Sequence, residues 1–178
     1  IGLAVLALVL DQVTKTAALA MLDHHVPVPV FLGFNLTLGF NTGASFGMLY
    51  DTMADRPMVM AALTGALAIF LTWLGLRARL PLERAGFALI VGGASGNIID
   101  RLRQGAVTDF LDFYWRGWHW PAFNGADAAI FLGVVAILLA GALGSVARFV
   151  VDGAIKHRRA TTFPWATLAP GPPTTTLA

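Results

Sequence analysis

Four apolar runs dominate the chain: Ile1 to Leu22, Met58 to Leu76, Ala85 to about Ile99, and Ala128 to Val150. Each approaches the roughly 20 residues that a helix needs to cross the hydrocarbon of a bilayer. Of the 178 residues 57% are apolar and 12% charged. That is about half the charged share of a soluble domain, too little to coat a water-facing sphere. The sequence therefore predicts an α-helical integral membrane protein with four transmembrane helices in a single domain, residues 1–159.

The first run begins without a methionine and reads as the continuation of a helix. Ala18-Leu19-Ala20 has the A-x-A form of a signal-peptide cleavage site, but Asp11 and Lys15 inside the apolar stretch suit a span with a polar lining better. Pro27, Pro29 and the β-favouring runs Val26 to Leu32 and Phe34 to Phe40 place short strands between the first two spans. The segment Arg101 to Asp127, between the third and fourth, is aromatic-rich and also strand-capable.

Arg77, Arg79 and Arg84 sit in the short link between spans two and three, and Arg148, Lys156, Arg158 and Arg159 in or after the fourth. By the positive-inside rule both ends and the short link are cytoplasmic, and the two long connections face outward. Tyr114, Trp115, Trp118, Trp120 and Phe123 would then lie at headgroup level. Arg101, Arg103 and Arg116 face outward against the rule, which assigns at least one of them a specific task. The Thr- and Pro-rich tail, residues 160–178, reads as disordered. A net charge of +2 without a basic stripe argues against nucleic acid. The absence of cysteine removes thiol nucleophiles, thiolate metal sites and disulfides.

An ionisable group at hydrocarbon depth costs about 2.5 to 3.5 kcal/mol or more, so each needs a partner or a purpose. Asp11 and Lys15, four apart on one helix face, form a neutralising pair or line a polar site. The stretch N41-T-G-A-S-F-G47 reads as a turn before the second span, with Gly43 and Gly47 permitting tight geometry. G92-G-A-S-G-N-I-I-D-R101 ends the third span with small residues for helix packing and a polar cluster of Asn97, Asp100 and Arg101, which reads either as a local Asp100–Arg101 pair or as part of a polar site.

Asn124 and Asp127, three apart before an apolar run, have the spacing of a helix N-cap and an N3 acid. Asp127 together with Asp109 of V107-T-D-F110 also offers two carboxylates at one membrane edge. In an aspartyl dyad one carboxylate takes a proton from water while the other, protonated, polarises the scissile carbonyl. The positive end of the fourth helix favours charge on Asp127, which makes Asp127 the initial base and Asp109 the acid.

Five blocks in order, D11-Q-V-T-K15, N41-T-G-A-S-F46, G92-G-A-S-G-N-I-I-D-R101, V107-T-D-F110 and F123-N-G-A-D127, resemble the bacterial lipoprotein signal peptidase (signal peptidase II) family over residues 8 to 150. The resemblance implies an aspartyl intramembrane protease with four transmembrane helices, a small β-structured outer-face portion and a loop helix. It implies a multi-pass protein of the bacterial cytoplasmic membrane with its site near the outer face. The activity implied is removal of signal peptides from diacylglyceryl-modified prolipoproteins, just before the lipidated cysteine, without metal or cofactor. Inhibition by globomycin-type cyclic peptides is implied too.

By the same resemblance Asp109 and Asp127 are the catalytic pair. Asn41, Gly43, Asn97, Asp100, Arg101 and Asn124 line or support the site, and Asp11 and Lys15 have a supporting role. Ser45, Ser95 and Gly125 depart from the family's usual residues without removing a catalytic group.

Two other readings compete. Gly93-Ala94-Ser95-Gly96 has the form of a rhomboid-type serine protease motif, but His24, His25, His119 and His157 all lie outside the spans, and a serine nucleophile needs a base in reach. No metal-ligand spacing joins those histidines. The second reading is a small transporter or channel subunit with Asp11, Lys15 and Asp127 along a polar pathway.

Overall fold

A computed structural model describes residues 1–43 and 56–160, with the side chains of 153–160 excepted. Among these residues are four helices, α1 (Gly2–Met21), α2 (Pro57–Arg77), α3 (Pro81–Gln104) and α4 (Gly125–Ala160). Four strands, β1 (Val28–Phe31), β2 (Phe34–Asn41), β3 (Val107–Trp115) and β4 (Trp118–His119), pair antiparallel in the order β1-β2-β3-β4. Ser45, Gly47 and the tail beyond Ala160 lie outside the described residues, and no separate loop helix occurs within them.

Two compact units divide the chain, residues 1–140 and 141–178. The second, as far as it is described, is the helical continuation of α4, where Ser145 Oγ donates to the carbonyl of Gly141.

Helix α1 is amphipathic in reverse. Its buried residues are Ala7, Asp11, Lys15 and Ala18, one stripe at helical spacing. Val5, Leu6, Val9, Leu10 and Val13 are all exposed. Charges inside and aliphatic side chains outside suit a hydrocarbon solvent, where the backbone is satisfied within the helix. Among the described residues α1, α2 and Gly125–Asp152 of α4 are long and apolar enough to cross a membrane.

Helix α3 runs beyond its apolar stretch at both ends and carries Glu83, Arg84, Asn97, Asp100 and Arg101. The helix continues past the apolar run that stops at Ile99, and around that point Asn97, Asp100 and Arg101 are buried. Small residues let its neighbours approach closely. A Cβ on Gly92 would meet the backbone of Ala4 in α1, and one on Gly93 would meet the carbonyl oxygen of Ala126 in α4. A Cβ on Gly96 would strike the Asp11 carboxylate. Gly86 and Gly133 meet reciprocally, each Cβ position within 2.6 Å of the other's carbonyl oxygen. These adjacent glycines set α1 and α4 against different faces of α3.

Gly105, at φ 77°, ends α3 in the left-handed conformation that glycine accepts most readily, and its N–H donates to the carbonyl of Arg101 (3.1 Å). The chain enters β3 two residues later. Positive φ at both Arg116 and Gly117 makes the tight β3–β4 turn, matching the twist of a two-residue hairpin. After β4 the chain runs back along β3: Trp120 N–H donates to Phe113 O (2.8 Å), Leu111 N–H to Phe123 O (2.9 Å), and Phe123 N–H to Leu111 O (3.1 Å). The start of α4 is thereby laid beside the start of β3.

Because Gly93 faces backbone, Gly93→Val is expected to destabilise the detergent-solubilised protein by about 1–3 kcal/mol or more. Gly65, with nothing within 4 Å of its Cβ position, supplies the control: Gly65→Ala is expected to be neutral or slightly stabilising in a thermal melt.

Candidate active site

Four segments converge here: the second half of α1, the end of α3, the start of β3 and the start of α4. On α1, Lys15 Nζ lies 2.9 Å from Asp11 Oδ2, 3.0 Å from Asp100 Oδ2 and 2.9 Å from Asn97 Oδ1. All three of the ammonium's donors have acceptors in this arrangement. Asp11 Oδ1 accepts the N–H of Ala126 (2.8 Å), so a side chain of the first helix satisfies a free donor at the start of the fourth.

Asp100 does not form the local pair with Arg101 that adjacency suggests. Its carboxylate takes Lys15 and the N–H of Thr108 (3.1 Å), because the fold brings a cation and a free donor to it from two other elements. Arg101 turns elsewhere: one terminal nitrogen donates to Gly43 O (3.2 Å), the other to Asn97 O (3.4 Å). Its Nε has no partner among the described residues. The buried guanidinium thus joins α3 to the turn at Gly43.

The segment before α4 closes a capping box. Asn124 Oδ1 accepts the N–H of Asp127 (3.0 Å), and Asp127 Oδ2 accepts the N–H of Asn124 (3.2 Å). The remaining groups of both residues do more than cap. Asn124 Nδ2 donates to Asp109 Oδ1 (2.6 Å), and Asn97 Nδ2 donates to Asp127 Oδ1 (3.0 Å). One asparagine thus touches both carboxylates.

Asn124 and Thr108 are fully buried, and Asp109 and Asn97 are nearly so. Asn41 accepts the N–H of Gly43 (3.1 Å), which shapes the turn whose carbonyl receives Arg101. The sites expected at Asp11, Lys15, Asn41, Gly43, Asn97, Asp100, Arg101, Asp109, Asn124 and Asp127 therefore belong to one connected set.

Burial is the main reason that the Asp109 carboxyl is pushed up to about 7, and the charge of Asp127 adds to it. The amides of Asn124 and Asn41 and the Lys15 ammonium work in the opposite direction and are outweighed. Two carboxylates that cannot both ionise freely share their protons as a pair.

Sequence reasoning missed three contributors. Gln12 Nε2 reaches Asp11 (3.2 Å), Gly96 O (3.3 Å) and Asp100 (3.1 Å). Gln104 donates to Thr108 Oγ1 (2.6 Å), and Thr108 in turn orients Asp100. Gln12 and Thr108 have one signal each, their places inside D11-Q-V-T-K15 and V107-T-D-F110; Gln104 carries none.

Two competing chemistries lose their footing. Ser95 Oγ donates to the carbonyl of Val91 (2.7 Å) within its own helix, as an unactivated helical serine does. Asp11, Lys15 and Asp127 gather in one network instead of following a pathway.

Residues 3–147 match the family described as signal peptidase (SPase) II. The chain is 43% identical over 140 residues to a lipoprotein signal peptidase of Ralstonia nicotianae, covering 78% of this chain and 81% of that one. It is 44% identical over 144 residues to one of Aeromonas hydrophila, covering 78% and 85%. The fold is similar to a bacterial membrane enzyme solved by the in meso method at 2.3 Å, with a TM-score of 0.71 and 28% identity over 80% of this chain and 87% of that one.

Ionising Asp109 in this buried place opposes folding. Its raised value means that the folded state holds a proton that the unfolded chain has released, so stability falls as pH rises from the ordinary carboxyl range through about 7. Asp109→Asn, neutral at every pH, is expected to melt above the parent protein at pH 8, with the gap narrowing toward pH 5.

Proposed function

The chain belongs to the signal peptidase II family of proteases, and on that footing we propose that it removes the signal peptides of diacylglyceryl-modified prolipoproteins with Asp109 and Asp127 as the catalytic pair. The observation that carries the assignment is the placement of both carboxylates around Asn124, in a buried setting that keeps a proton on Asp109 near neutral pH.

In the proposed reaction Asp127 takes a proton from water as the oxygen attacks the scissile carbonyl carbon, and Asp109 gives its proton to the carbonyl oxygen. Collapse of the resulting gem-diol breaks the C–N bond. Asp127 passes its proton to the leaving amine of the lipidated cysteine, and Asp109 regains one from a gem-diol hydroxyl. The pair ends as it began. Asn97 and Asn124 hold the carboxyl orientations, and a fixed geometry limits the reorganisation needed on the way to the transition state.

In the same reading all four helices cross the bacterial cytoplasmic membrane within one peptidase domain, residues 1–159, with both termini cytoplasmic. Helix α3 crosses because its polar residues face protein. The site then lies near the outer face, where water reaches the carboxylates while the diacyl chains and the signal helix stay in lipid. A globomycin-type cyclic peptide would compete at this site.

Cleavage of a diacylglyceryl-modified prolipoprotein in detergent tests the assignment. Asp109→Asn and Asp127→Asn are each expected to lose about 1,000-fold or more in kcat while remaining folded, and Ser95→Ala to keep its turnover. Retained cleavage in either Asn variant would remove that residue from the dyad. With Asp109 as the acid, kcat is expected to fall on the alkaline side of about pH 7; a rate that keeps rising through pH 8 would contradict that role.

A further inference from the structure

Outside the network around Lys15 the structure holds a further buried carboxylate, Asp112, three residues beyond Asp109 on β3. Asp112 Oδ1 lies 2.7 Å from His119 Nδ1 on β4, and its Oδ2 accepts Thr37 Oγ1 (3.0 Å) and Asn35 Nδ2 (3.5 Å) from β2. One carboxylate therefore ties three strands together. Asp112 is 5% exposed, whereas the His119 side chain is 53% exposed. Burial pushes the Asp112 carboxyl up, but the His119, Thr37 and Asn35 contacts together outweigh it and hold the group below the ordinary range.

The place of this pair in the chain gives it a purpose. Beyond His119 the backbone bonds to β3 at Phe113, Leu111 and Phe110, and then reaches Asn124, whose amide meets Asp109. The pairing of this return segment with β3 thus fixes how Asn124 and Asp127 lie against Asp109. The β4 stretch is two residues long, and its two pairings with β3 are Tyr114 with His119 and Trp115 with Trp118. Such a short strand contributes little by itself. The Asp112 contact fastens it from the side.

We propose that His119 and Asp112 are positioning residues: their ion pair clasps the return segment onto β3 and so sets the geometry of the Asp109–Asp127 pair. The proposal rests on the dyad assignment above. Protonated His119 gives the clasp its charge; the neutral ring with its proton on Nδ1 keeps only the hydrogen bond. Among the described residues the groups at this pair are Asp112 on β3, Tyr114 stacked on the ring at 5.4 Å, and Thr37 and Asn35 on β2. The nearby Arg116 lies over the Trp115 ring.

The test measures kcat and KM of the full chain on a diacylglyceryl-modified prolipoprotein, at the pH of the parent's highest turnover, for the parent, His119→Gln, His119→Lys, Asp112→Asn and the His119→Gln/Asp112→Asn double variant. A half-exposed ion pair supports an effect of modest size. His119→Gln is expected to lower kcat about fivefold, with KM unchanged. His119→Lys, which places a cation beside Asp112, is expected to restore most of the loss. The double variant should resemble the single ones, because both remove one interaction.

The parent's kcat in His119→Gln would overturn the proposal, as would an equal loss in the Gln and Lys variants. A lowered melting temperature with kcat intact would also overturn it, since that is a purely structural role. Failure of the dyad itself is read separately, from turnover surviving in Asp109→Asn.

Discussion

A single ammonium group organises the interior of this protein. Lys15 is 2% exposed, and such a cation is tolerable among apolar helices only if its donors and its charge are matched. Asp11, Asp100 and Asn97 match them, and each of the three is then committed elsewhere. Asp11 satisfies the N–H of Ala126 at the start of α4. Asp100 receives the N–H of Thr108 at the start of β3. Asn97 reaches Asp127 and Asn124. The two segments that carry Asp109 and Asp127 are thus referenced to the same buried charge. Removing it would leave two carboxylates unpaired, at a cost of about 3–5 kcal/mol.

The glycines of α3 make that arrangement possible. A side chain at Gly96 would occupy the space of the Asp11 carboxylate, and one at Gly93 would displace the first turn of α4. Close approach of backbones brings the polar groups within hydrogen-bonding distance, and the polar groups in turn favour the close approach. This mutual dependence is how a helix bundle in lipid, without a hydrophobic force between its helices, holds one arrangement.

Much of this was legible in the chain. The spans of α1 and α2 follow from their apolar runs, the strands from β-favouring stretches between turn residues, and the cap from Asn124 and Asp127 at its required spacing. The Asn124–Asp127 pair was read as either a cap or a site, and it carries both geometries because each side chain has atoms to spare after capping.

What the sequence hid was pairing across distance. Adjacency suggested that Asp100 pairs with Arg101, but successive residues on a helix point in different directions, and the true partners lie 85 and 58 positions away in Lys15 and Gly43. The full extent of α3 was hidden for a related reason: polar residues end an apolar run in sequence but not a helix whose polar face is buried in protein. Asp112 and His119 meet only because a two-residue turn with two positive φ values folds β4 back onto β3.

The central claim is that the buried carboxyl pair holds a proton at neutral pH and that Asp109 carries it. Infrared titration of the detergent-solubilised protein, following the carboxylic acid carbonyl band, addresses this directly. One protonated aspartate that ionises near pH 7, and is absent from Asp109→Asn, is the predicted result. A spectrum in which every aspartate is already ionised at pH 6, or a protonated band that survives in Asp109→Asn, would contradict the account.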